Sequence, residues 1–157
     1  AMNPDVRLTD IPDRLSDDAL AEAISQADVV LDGSDNFATR FQVSDAAVAH
    51  GKPLISGAAI RMEGQIAAFG PDYQRSPCYR CLYREADESL ESCAGNGVLS
   101  PVPGVIGTMM AVEALKYLAG LPIETGKLSL YDAASSDWQK VAIRKKKHCQ
   151  GCGSDRR

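Results

Sequence analysis

Two short cysteine motifs constrain the fold of this chain more than any other feature of its sequence. Cys78 and Cys81 form one C-x-x-C knuckle, and Cys149 and Cys152 form a second. The two-residue gap allows both sulfurs of a knuckle to face one ion, and two knuckles complete a tetrahedral site of four thiolates. Because residues 82–148 lie between the knuckles, such a site would fasten the end of the chain to an internal loop.

A redox pair is the alternative interpretation of either knuckle alone, since C-x-x-C also occurs in thiol–disulfide chemistry. Two knuckles together favour a metal, and four thiolates leave no coordination position open. The sequence therefore predicts one structural zinc ion. Gly151 and Gly153 are expected to permit the tight turn of the second knuckle. His148 adjoins that knuckle and is predicted to be exposed.

Length and composition indicate one globular domain. The chain has 157 residues, of which 45% are hydrophobic and 24% are charged, the balance of a soluble protein with one sizeable core. The formal net charge is -4, which argues against nucleic acid as a ligand. The basic run at residues 144–147 is interpreted as the solvated end of a strand beside the second knuckle.

No segment is typical of a signal peptide or a membrane span. The first residues have no charged region followed by an apolar region, and Ala1 before Met2 is interpreted as a cloning remnant. The most apolar helical stretch, residues 105–118, contains Glu113 and Lys116 and is too short to cross a bilayer. We therefore expect a cytoplasmic, reducing location, in which the five cysteines are metal ligands or reactive thiols rather than disulfides.

The first part of the chain has the pattern of one strand–helix–strand unit. Residues 17–26 predict a short helix with Ser16 as its N-cap. Apolar residues 29–31 predict a strand buried on both faces, residues 37–50 a helix, and residues 54–56 the next strand. Such an order of elements forms a parallel crossover connection.

The second part of the chain follows a different pattern. Residues 65–69 predict a strand with no helix before it, which favours antiparallel pairing. Residues 75–102 have the composition of a long loop, and residues 104–119 predict a helix. Residues 127–131 and 138–143 then predict an antiparallel pair. The expected fold class is α/β, a partial Rossmann-like sheet that combines a parallel crossover unit with antiparallel strands and a four-cysteine zinc site, in a single domain of 157 residues.

A cluster of turn residues follows the first predicted strand. Asp32, Asp35 and Asn36 lie where that strand passes to a helix, and ligands bind at the carboxyl ends of strands in doubly wound sheets. A carboxylate there could hold Mg²⁺ beside phosphate groups, since Mg²⁺ prefers a few carboxylates and phosphate oxygens. The alternative is a helix cap, with Ser34 or Asp35 capping the helix that begins at Phe37.

Several segments, taken together, form a pattern that is specific to one enzyme family. They are V-V-L-D-G-S-D-N at residues 29–36 with Arg40 after it, P-L-I-S-G-A-A-I-R-M-E-G-Q at 53–65, C-Y-R-C at 78–81, the Ser92–Cys93 loop, P-G-V-I-G at 103–107 and the final C-x-x-C. In this combination and order the chain resembles the MoeB/ThiF/HesA family, the bacterial relatives of ubiquitin-activating enzymes, and MoeB most closely.

The resemblance implies an adenylyltransferase that uses ATP and Mg²⁺ to activate the C-terminal glycine of a ubiquitin-like sulfur carrier. The carrier would be MoaD-like, for molybdopterin, or ThiS-like, for thiamine, and the enzyme would be a homodimer. Asp35 is assigned to the Mg²⁺ and phosphate site, with Asn36 and Arg40 as further cofactor-binding residues. Cys93 is similar to the family's catalytic loop cysteine, which takes part in sulfur transfer in ThiF-type members. The residues alone leave open an incidental free thiol.

The chain departs from the family in one respect. Members carry a G-x-G-x-x-G turn, an acidic residue for the ribose, and Arg and Lys residues for the ATP phosphates in an earlier half, and no glycine-rich turn occurs in residues 1–28. We therefore expect the N-terminal nucleotide-binding half to be absent. The chain would then be the C-terminal portion of such an enzyme, or a truncated gene product, and inactive alone. The alternative is a non-catalytic zinc-stabilised module that binds a sulfur carrier or a partner protein.

Overall fold

The computed structural model describes residues 3–84 and 97–153. Within these ranges the chain forms α1 (Asp17–Gln26), β1 (Val30–Asp32), α2 (Phe37–Ala49), β2 (Leu54–Ile60), β3 (Glu63–Phe69), α3 (Tyr79–Leu82), α4 (Pro101–Leu118), β4 (Lys127–Asp132) and β5 (Asp137–Ala142). Every helix and strand predicted from the sequence is present, and α1 has the predicted bounds.

The strands form one mixed sheet in the order β1-β2-β3-β4-β5. β1 and β2 are parallel and are joined through α2, whereas each later strand pairs antiparallel with its neighbour. The predicted fold class, a Rossmann-like parallel crossover unit extended by antiparallel strands, is therefore confirmed.

Polar side chains fix the starts of the first two helices. The Ser16 hydroxyl accepts a hydrogen bond from the Ala19 N–H at 3.4 Å, as predicted. The cap of α2 is Asn36, whose side chain accepts from the Thr39 N–H at 2.8 Å. The prediction that Ser34 or Asp35 caps α2 was wrong, because the extended backbone of Asn36 makes it the last residue before the helix.

The prediction of one continuous loop over residues 75–102 was wrong at two places. The first knuckle begins the short helix α3, and α4 starts at Pro101, within the predicted loop. β2 also runs on to Ile60, beyond the predicted end at Ser56, because all seven of its residues pair with β3. Hydrogen bonds to a partner strand stabilise Gly57, Ala58 and Ala59, which have low strand propensity.

One face of the sheet is covered by α4. Val102, Ile106, Met110 and Ala114 of this helix pack on Ile55, Ile66 and Ala68 of β2 and β3. Gly57 and Gly64 allow the close approach, since a Cβ atom on Gly57 would lie 2.8 Å from Cγ2 of Ile106 and one on Gly64 would lie 2.5 Å from its Cδ1. Among the described residues, no helix has the length and apolar character needed to span a membrane.

The opposite face carries the larger part of the core. Residues of α1, α2, β2 and β3 pack there around Phe41, Leu54, Phe69 and Tyr79, and the four knuckle cysteines belong to the same cluster. The cluster of four cysteines is therefore continuous with the packing of α2 on the sheet.

Candidate metal centre and neighbouring cavity

The four knuckle cysteines come together in one buried centre. Their sulfur atoms all lie within 4.8 Å of one another. The Sγ atoms of Cys78 and Cys149 are 3.6 Å apart, as are those of Cys81 and Cys152, and all four thiols are free of disulfides. Four sulfurs bound to zinc at about 2.3 Å lie about 3.8 Å apart in a tetrahedron. The geometry therefore fits a metal ion shared between the two knuckles.

Local backbone turns aim the sulfurs inward. The Cys81 N–H donates to the Cys78 carbonyl at 2.9 Å, and the Gly153 N–H donates to the Cys149 carbonyl at 2.8 Å. Gly151 and Gly153 are required, but not for a left-handed backbone, since neither has a positive φ. A Cβ atom on Gly151 would lie 2.8 Å from Cys78 Sγ, and one on Gly153 would lie 2.6 Å from the Cys149 carbonyl oxygen. Close approach is therefore the physical reason for both glycines.

The four buried sulfurs can all be negatively charged only if a cation compensates them. A hydrogen bond with Cys81, together with burial, raises the pKa of the Cys78 thiol, and burial raises the pKa of Cys152. The same hydrogen bond lowers the pKa of Cys81 to about 4. A buried group of this kind does not ionise at all four sulfurs without compensation, and a bound metal ion supplies it by replacing the thiol protons.

One residue of the basic run is part of the cysteine centre. The Lys145 ammonium lies 2.6 Å from the Tyr73 carbonyl oxygen, 2.8 Å from the Cys152 carbonyl oxygen and 3.1 Å from Cys152 Sγ. The interpretation of residues 144–147 as a solvated strand end is therefore wrong for Lys145, which is half-buried. His148 is exposed, as predicted.

The first knuckle is also joined to α2. The Arg80 guanidinium donates from Nε and Nη2 to the two carboxylate oxygens of Asp45, each at 2.8 Å. It also lies 4.5 Å from the ring centre of Phe41. Bidentate pairing and stacking on an aromatic ring are contacts that a guanidinium makes and an ammonium does not. The position between Cys78 and Cys81 thus connects the metal centre to the helix that follows the acidic turn.

The two carboxylates of the acidic turn have different environments. Asp32 is buried at 5% exposure, and its Oδ1 accepts from the Ser34 N–H at 3.0 Å and from the Ser34 hydroxyl at 2.7 Å. Asp35 is exposed, and the Asn36 side chain donates a hydrogen bond to its Oδ1 at 3.2 Å. Asp35 is therefore the carboxylate of the turn that is open to solvent and lines the neighbouring cavity, whereas Asp32 stabilises the turn.

Arg40 connects that turn to β2. Its guanidinium donates to the Ser34 carbonyl, to the Ser56 hydroxyl at 3.3 Å and to the Gly57 carbonyl at 3.1 Å. It also lies 4.0 Å from Asp32 and is only 7% exposed. Most of its donors are thus occupied by the protein, although its side chain also lines the cavity beside Asp35.

A cavity of about 490 Å³ lies beyond the carboxyl ends of β1 and β2, within the size range of about 300–1,000 Å³ that is typical of ligand pockets. Asp35 and Phe37 form one side and the end of β2 forms another. The remaining wall is largely aromatic and amphipathic, and it consists of Gly64, Gln65, Tyr79, Tyr83, Leu130, Tyr131, Ser135 and Gln139.

Carboxylates outnumber basic groups around this cavity. Asp35, Glu63, Asp132 and Asp137 line it, and Arg40 is the basic residue among its described lining. Hydrogen bonds from the Ala134 N–H and the Ser135 hydroxyl lower the pKa of Asp132, which keeps that group anionic. An acidic cavity favours a cation or a polypeptide backbone over a bare polyphosphate.

Cys93, the predicted loop cysteine, lies outside the described residues. Sequence reasoning missed Lys145, the Arg80–Asp45 pair and the aromatic wall of the cavity. For Lys145 the signal was present, since a basic residue close to a four-thiolate site has a partner of opposite charge available. The other contacts have no local signal in the sequence.

Together the mixed sheet, the cavity at its strand ends and the four-cysteine centre define a Rossmann-like α/β protein in which a candidate metal site joins two distant segments of the chain. The chain belongs to the ThiF family, which it matches over residues 1–153. It is 42% identical over 152 residues to the sulfur carrier protein ThiS adenylyltransferase of Escherichia coli, covering 97% of this chain and 60% of that protein.

A second relative is an adenylyltransferase with a different name. The chain is 42% identical over 154 residues to the molybdopterin-synthase adenylyltransferase of Escherichia coli, covering 97% of this chain and 61% of the relative. The chain therefore spans about three-fifths of the length of these relatives. The two identities are equal, so they do not distinguish a ThiS-like from a MoaD-like pathway.

Solved structures support the fold at lower identity. The crystal structure of Escherichia coli MccB has a TM-score of 0.71 and 16% identity, with 90% of this chain and 44% of that chain covered. MccB solved with ATP has a TM-score of 0.70 at 16% identity, covering 92% and 44%. At this identity the likeness establishes the fold alone.

Proposed function

We propose that the chain is the C-terminal part of an ATP-dependent adenylyltransferase that activates the C-terminal glycine of a ubiquitin-like sulfur carrier. The observation that carries this proposal is the position of Asp35, exposed at the mouth of a ligand-sized cavity at the carboxyl ends of parallel strands. Such strand ends are where open α/β sheets bind ligands. The names of the ThiF-family relatives support the same reaction.

The reaction converts a poor acyl donor into a good one. An oxygen of the carrier's terminal carboxylate attacks the α-phosphorus of ATP, the bond to the β-phosphate oxygen breaks, and pyrophosphate leaves. The product is an acyl adenylate, whose AMP is a good leaving group for a later sulfur donor. The protein contributes position and charge compensation, which are the main sources of catalysis in such transfers.

Each predicted residue has a distinct part in this proposal. Asp35 would hold Mg²⁺ near the phosphates, since its carboxylate is exposed to the cavity. Asn36 would fix the turn through its helix cap and its bond to Asp35. Arg40 would act through the backbone that it binds, because its guanidinium is buried against Ser34 and Gly57. Cys93 is proposed as a sulfur-transfer residue from the resemblance alone.

ATP exchange with pyrophosphate tests the reaction. We expect no carrier-dependent exchange from the 157-residue chain, because its cavity is acidic and lacks a glycine-rich cradle for phosphates. A polypeptide extended to the length of the relatives should show exchange, and Asp35→Asn in it should remove most of that activity. Asp10→Asn, at an exposed acidic position before α1, is the matched control. Robust exchange by the 157-residue chain would contradict the proposal that this chain is inactive alone. Full activity of the long Asp35→Asn variant would show that Asp35 has only a structural role.

The acidic cavity also favours a second candidate, a non-catalytic zinc-stabilised module that binds a sulfur carrier or a partner protein. A polypeptide tail offers N–H donors to the carboxylates at the mouth, which a triphosphate does not. Isothermal calorimetry separates the two candidates, since the extended protein binds ATP only under the first.

The ion that best fits the cysteine centre is zinc. A buried tetrahedral set of four thiolates is typical of structural Zn²⁺ sites, with no position open for catalysis. Elemental analysis of purified protein should give one zinc per chain, and the absence of zinc would refute the assignment.

The partners proposed are a sulfur carrier and a second copy of the chain. Away from the sheet α4 exposes Val112 and Leu115, with Leu115 at 66% exposure, and Leu118 is exposed at the end of the helix. Apolar patches of this kind favour association. Light scattering should report a dimer, and Leu115→Asp should shift it to monomer. A monomer from the unaltered chain at high concentration would contradict a homodimer.

A further inference from the structure

We propose that Lys145 is a positioning residue of the cysteine centre: it compensates the charge of the thiolates and orients the sulfur of Cys152 toward the metal. This inference rests on the zinc site proposed above. It assigns a role to a residue that lies outside both knuckles and outside the cavity.

The contacts of Lys145 define a specific ammonium site. Its Nζ lies 3.1 Å from Cys152 Sγ and 2.8 Å from the carbonyl oxygen of the same residue. The carbonyl oxygens of Tyr73 and Ser76 accept at 2.6 Å and 3.4 Å. The two shortest contacts, to the Tyr73 and Cys152 carbonyl oxygens, hold the ammonium in place, and its third N–H is shared between the sulfur and the more distant Ser76 carbonyl oxygen. Of these four partners, the sulfur is the one that could bind a metal.

The sulfur that Lys145 contacts also lies close to the first knuckle, since Cys152 Sγ is 3.6 Å from Cys81 Sγ. The Lys145 ammonium therefore brings a full positive charge to the place where the two knuckles meet.

Charge balance explains why an ammonium is placed here. Four thiolates around a divalent ion leave two excess negative charges, in a centre whose cysteines are at most 7% exposed. Arg80 does not offset them, because its guanidinium is paired with Asp45 at 2.8 Å. The Lys145 ammonium, 3.1 Å from Cys152 Sγ, offsets one of these two charges. Hydrogen bonds to ligand atoms in metal sites affect metal affinity by about 10–100-fold.

A purely structural role is the competing explanation. The bonds to Tyr73 and Ser76 fasten the loop after β3 to the second knuckle whether or not a metal is bound. That role predicts a loss of stability on substitution, with little change in the electronic properties of the metal–sulfur bonds. A spectroscopic readout therefore separates the two roles.

Zinc affinity of the folded chain is measured by competition with a chromogenic chelator for the unaltered protein and for Lys145→Gln, Lys145→Arg and Lys147→Gln. Lys147 is exposed, so Lys147→Gln is a control with the same change in net charge. We expect Lys145→Gln to weaken zinc binding about 10–100-fold, Lys147→Gln to leave it unchanged, and Lys145→Arg to lie nearer the unaltered protein than Lys145→Gln does.

Cobalt substitution supplies the second readout. Loss of an N–H···S bond makes the sulfur more electron-rich, so the sulfur-to-cobalt charge-transfer band of Lys145→Gln should move to longer wavelength, and that of Lys147→Gln should not. If Lys145→Gln does not fold, Lys145→Arg decides, since it retains the charge: a band and affinity close to the unaltered protein support the proposal, and a large loss of affinity overturns it. Equal affinity and equal spectra for both glutamine variants overturn it as well. If the unaltered chain binds no zinc, the metal centre itself fails, and the inference with it.

Discussion

At the scale of single residues, glycines allow the chain to pass close to the cysteine centre. The contacts of charged side chains decide which of their groups remain exposed. Gly151 has no side chain because Cys78 Sγ and the side chain of Arg80 occupy the space that a Cβ atom would fill. Arg40 and Lys145 are both basic residues whose donors are used by the protein itself. The same holds for the two aspartates of the turn, which have the same side chain. Asp32 is buried and Asp35 is exposed, so burial decides which of the two carboxylates a ligand could reach.

Substitution of Gly151 is expected to weaken the metal centre. In Gly151→Ala the new Cβ atom would lie 2.8 Å from Cys78 Sγ and 3.1 Å from Arg80 Cδ, so that the knuckle must shift and the sulfurs move apart. We expect faster loss of zinc to a chelator and a lower melting temperature. Gly33→Ala is the control, because nothing lies within 4 Å of its Cβ position. Equal zinc retention by the two variants would show that the knuckle relaxes freely.

At the scale of elements, the sheet is held between two different layers. α4 packs on β2 and β3 through a cluster of apolar side chains, whereas α2 is fastened by its core contacts, by Arg40 and by the Arg80–Asp45 pair. The glycines of β2 and β3 set the distance of α4 from the sheet. The acidic turn is therefore positioned by the more polar of the two layers.

The distance of α4 from the sheet can be tested with two alanine substitutions. Gly57→Ala places a Cβ atom 2.2 Å from the Met110 sulfur and 2.8 Å from Ile106 Cγ2, and overpacking of this kind typically costs about 1–3 kcal/mol. Gly107→Ala, on the exposed side of α4 with nothing within 4 Å, should instead stabilise the helix by roughly 0.5–1 kcal/mol. Urea unfolding measures both changes. A neutral Gly57→Ala would mean that α4 moves away from the sheet without loss.

At the scale of the whole molecule, the metal centre joins the end of the described chain to the middle of the sequence. Its cysteines belong to the core on the α2 face, and none belongs to the α4 face. The two faces should therefore respond differently when the metal is removed. The acidic turn at the start of α2 lies on the face that carries the four cysteines.

Hydrogen exchange of zinc-loaded and chelator-treated protein tests this difference. We expect α2 and the second knuckle to lose protection after zinc removal, because zinc binding contributes to folding in sites of this type. The buried side of α4, around Ile106 and Met110, should retain more of its protection. Uniform loss over both faces would show that the two layers unfold as one unit.

Features with local signals could be predicted from the sequence. The spacing of each knuckle, the apolar run before the acidic turn and the caps and breakers around α1 and α4 lie within a few residues of one another, and each constrains the backbone near it. They predicted the four-cysteine centre, the strand–helix–strand unit and the mixed sheet. The helix cap at Asn36 was missed, because several polar residues in a row can each serve as a cap.

Contacts between distant parts of the chain could not be predicted from the sequence and were found in the folded molecule. Lys145 reaches Tyr73 across 72 positions, Arg80 reaches Asp45 across 35, and the cavity joins α2 to the ends of β2, β3 and β4. Such contacts depend on the order of strands in the sheet and on the direction of each side chain, and neither is encoded by a short motif. The physical reason is that burial and pairing are properties of the packed molecule, whereas spacing and propensity are properties of the segment.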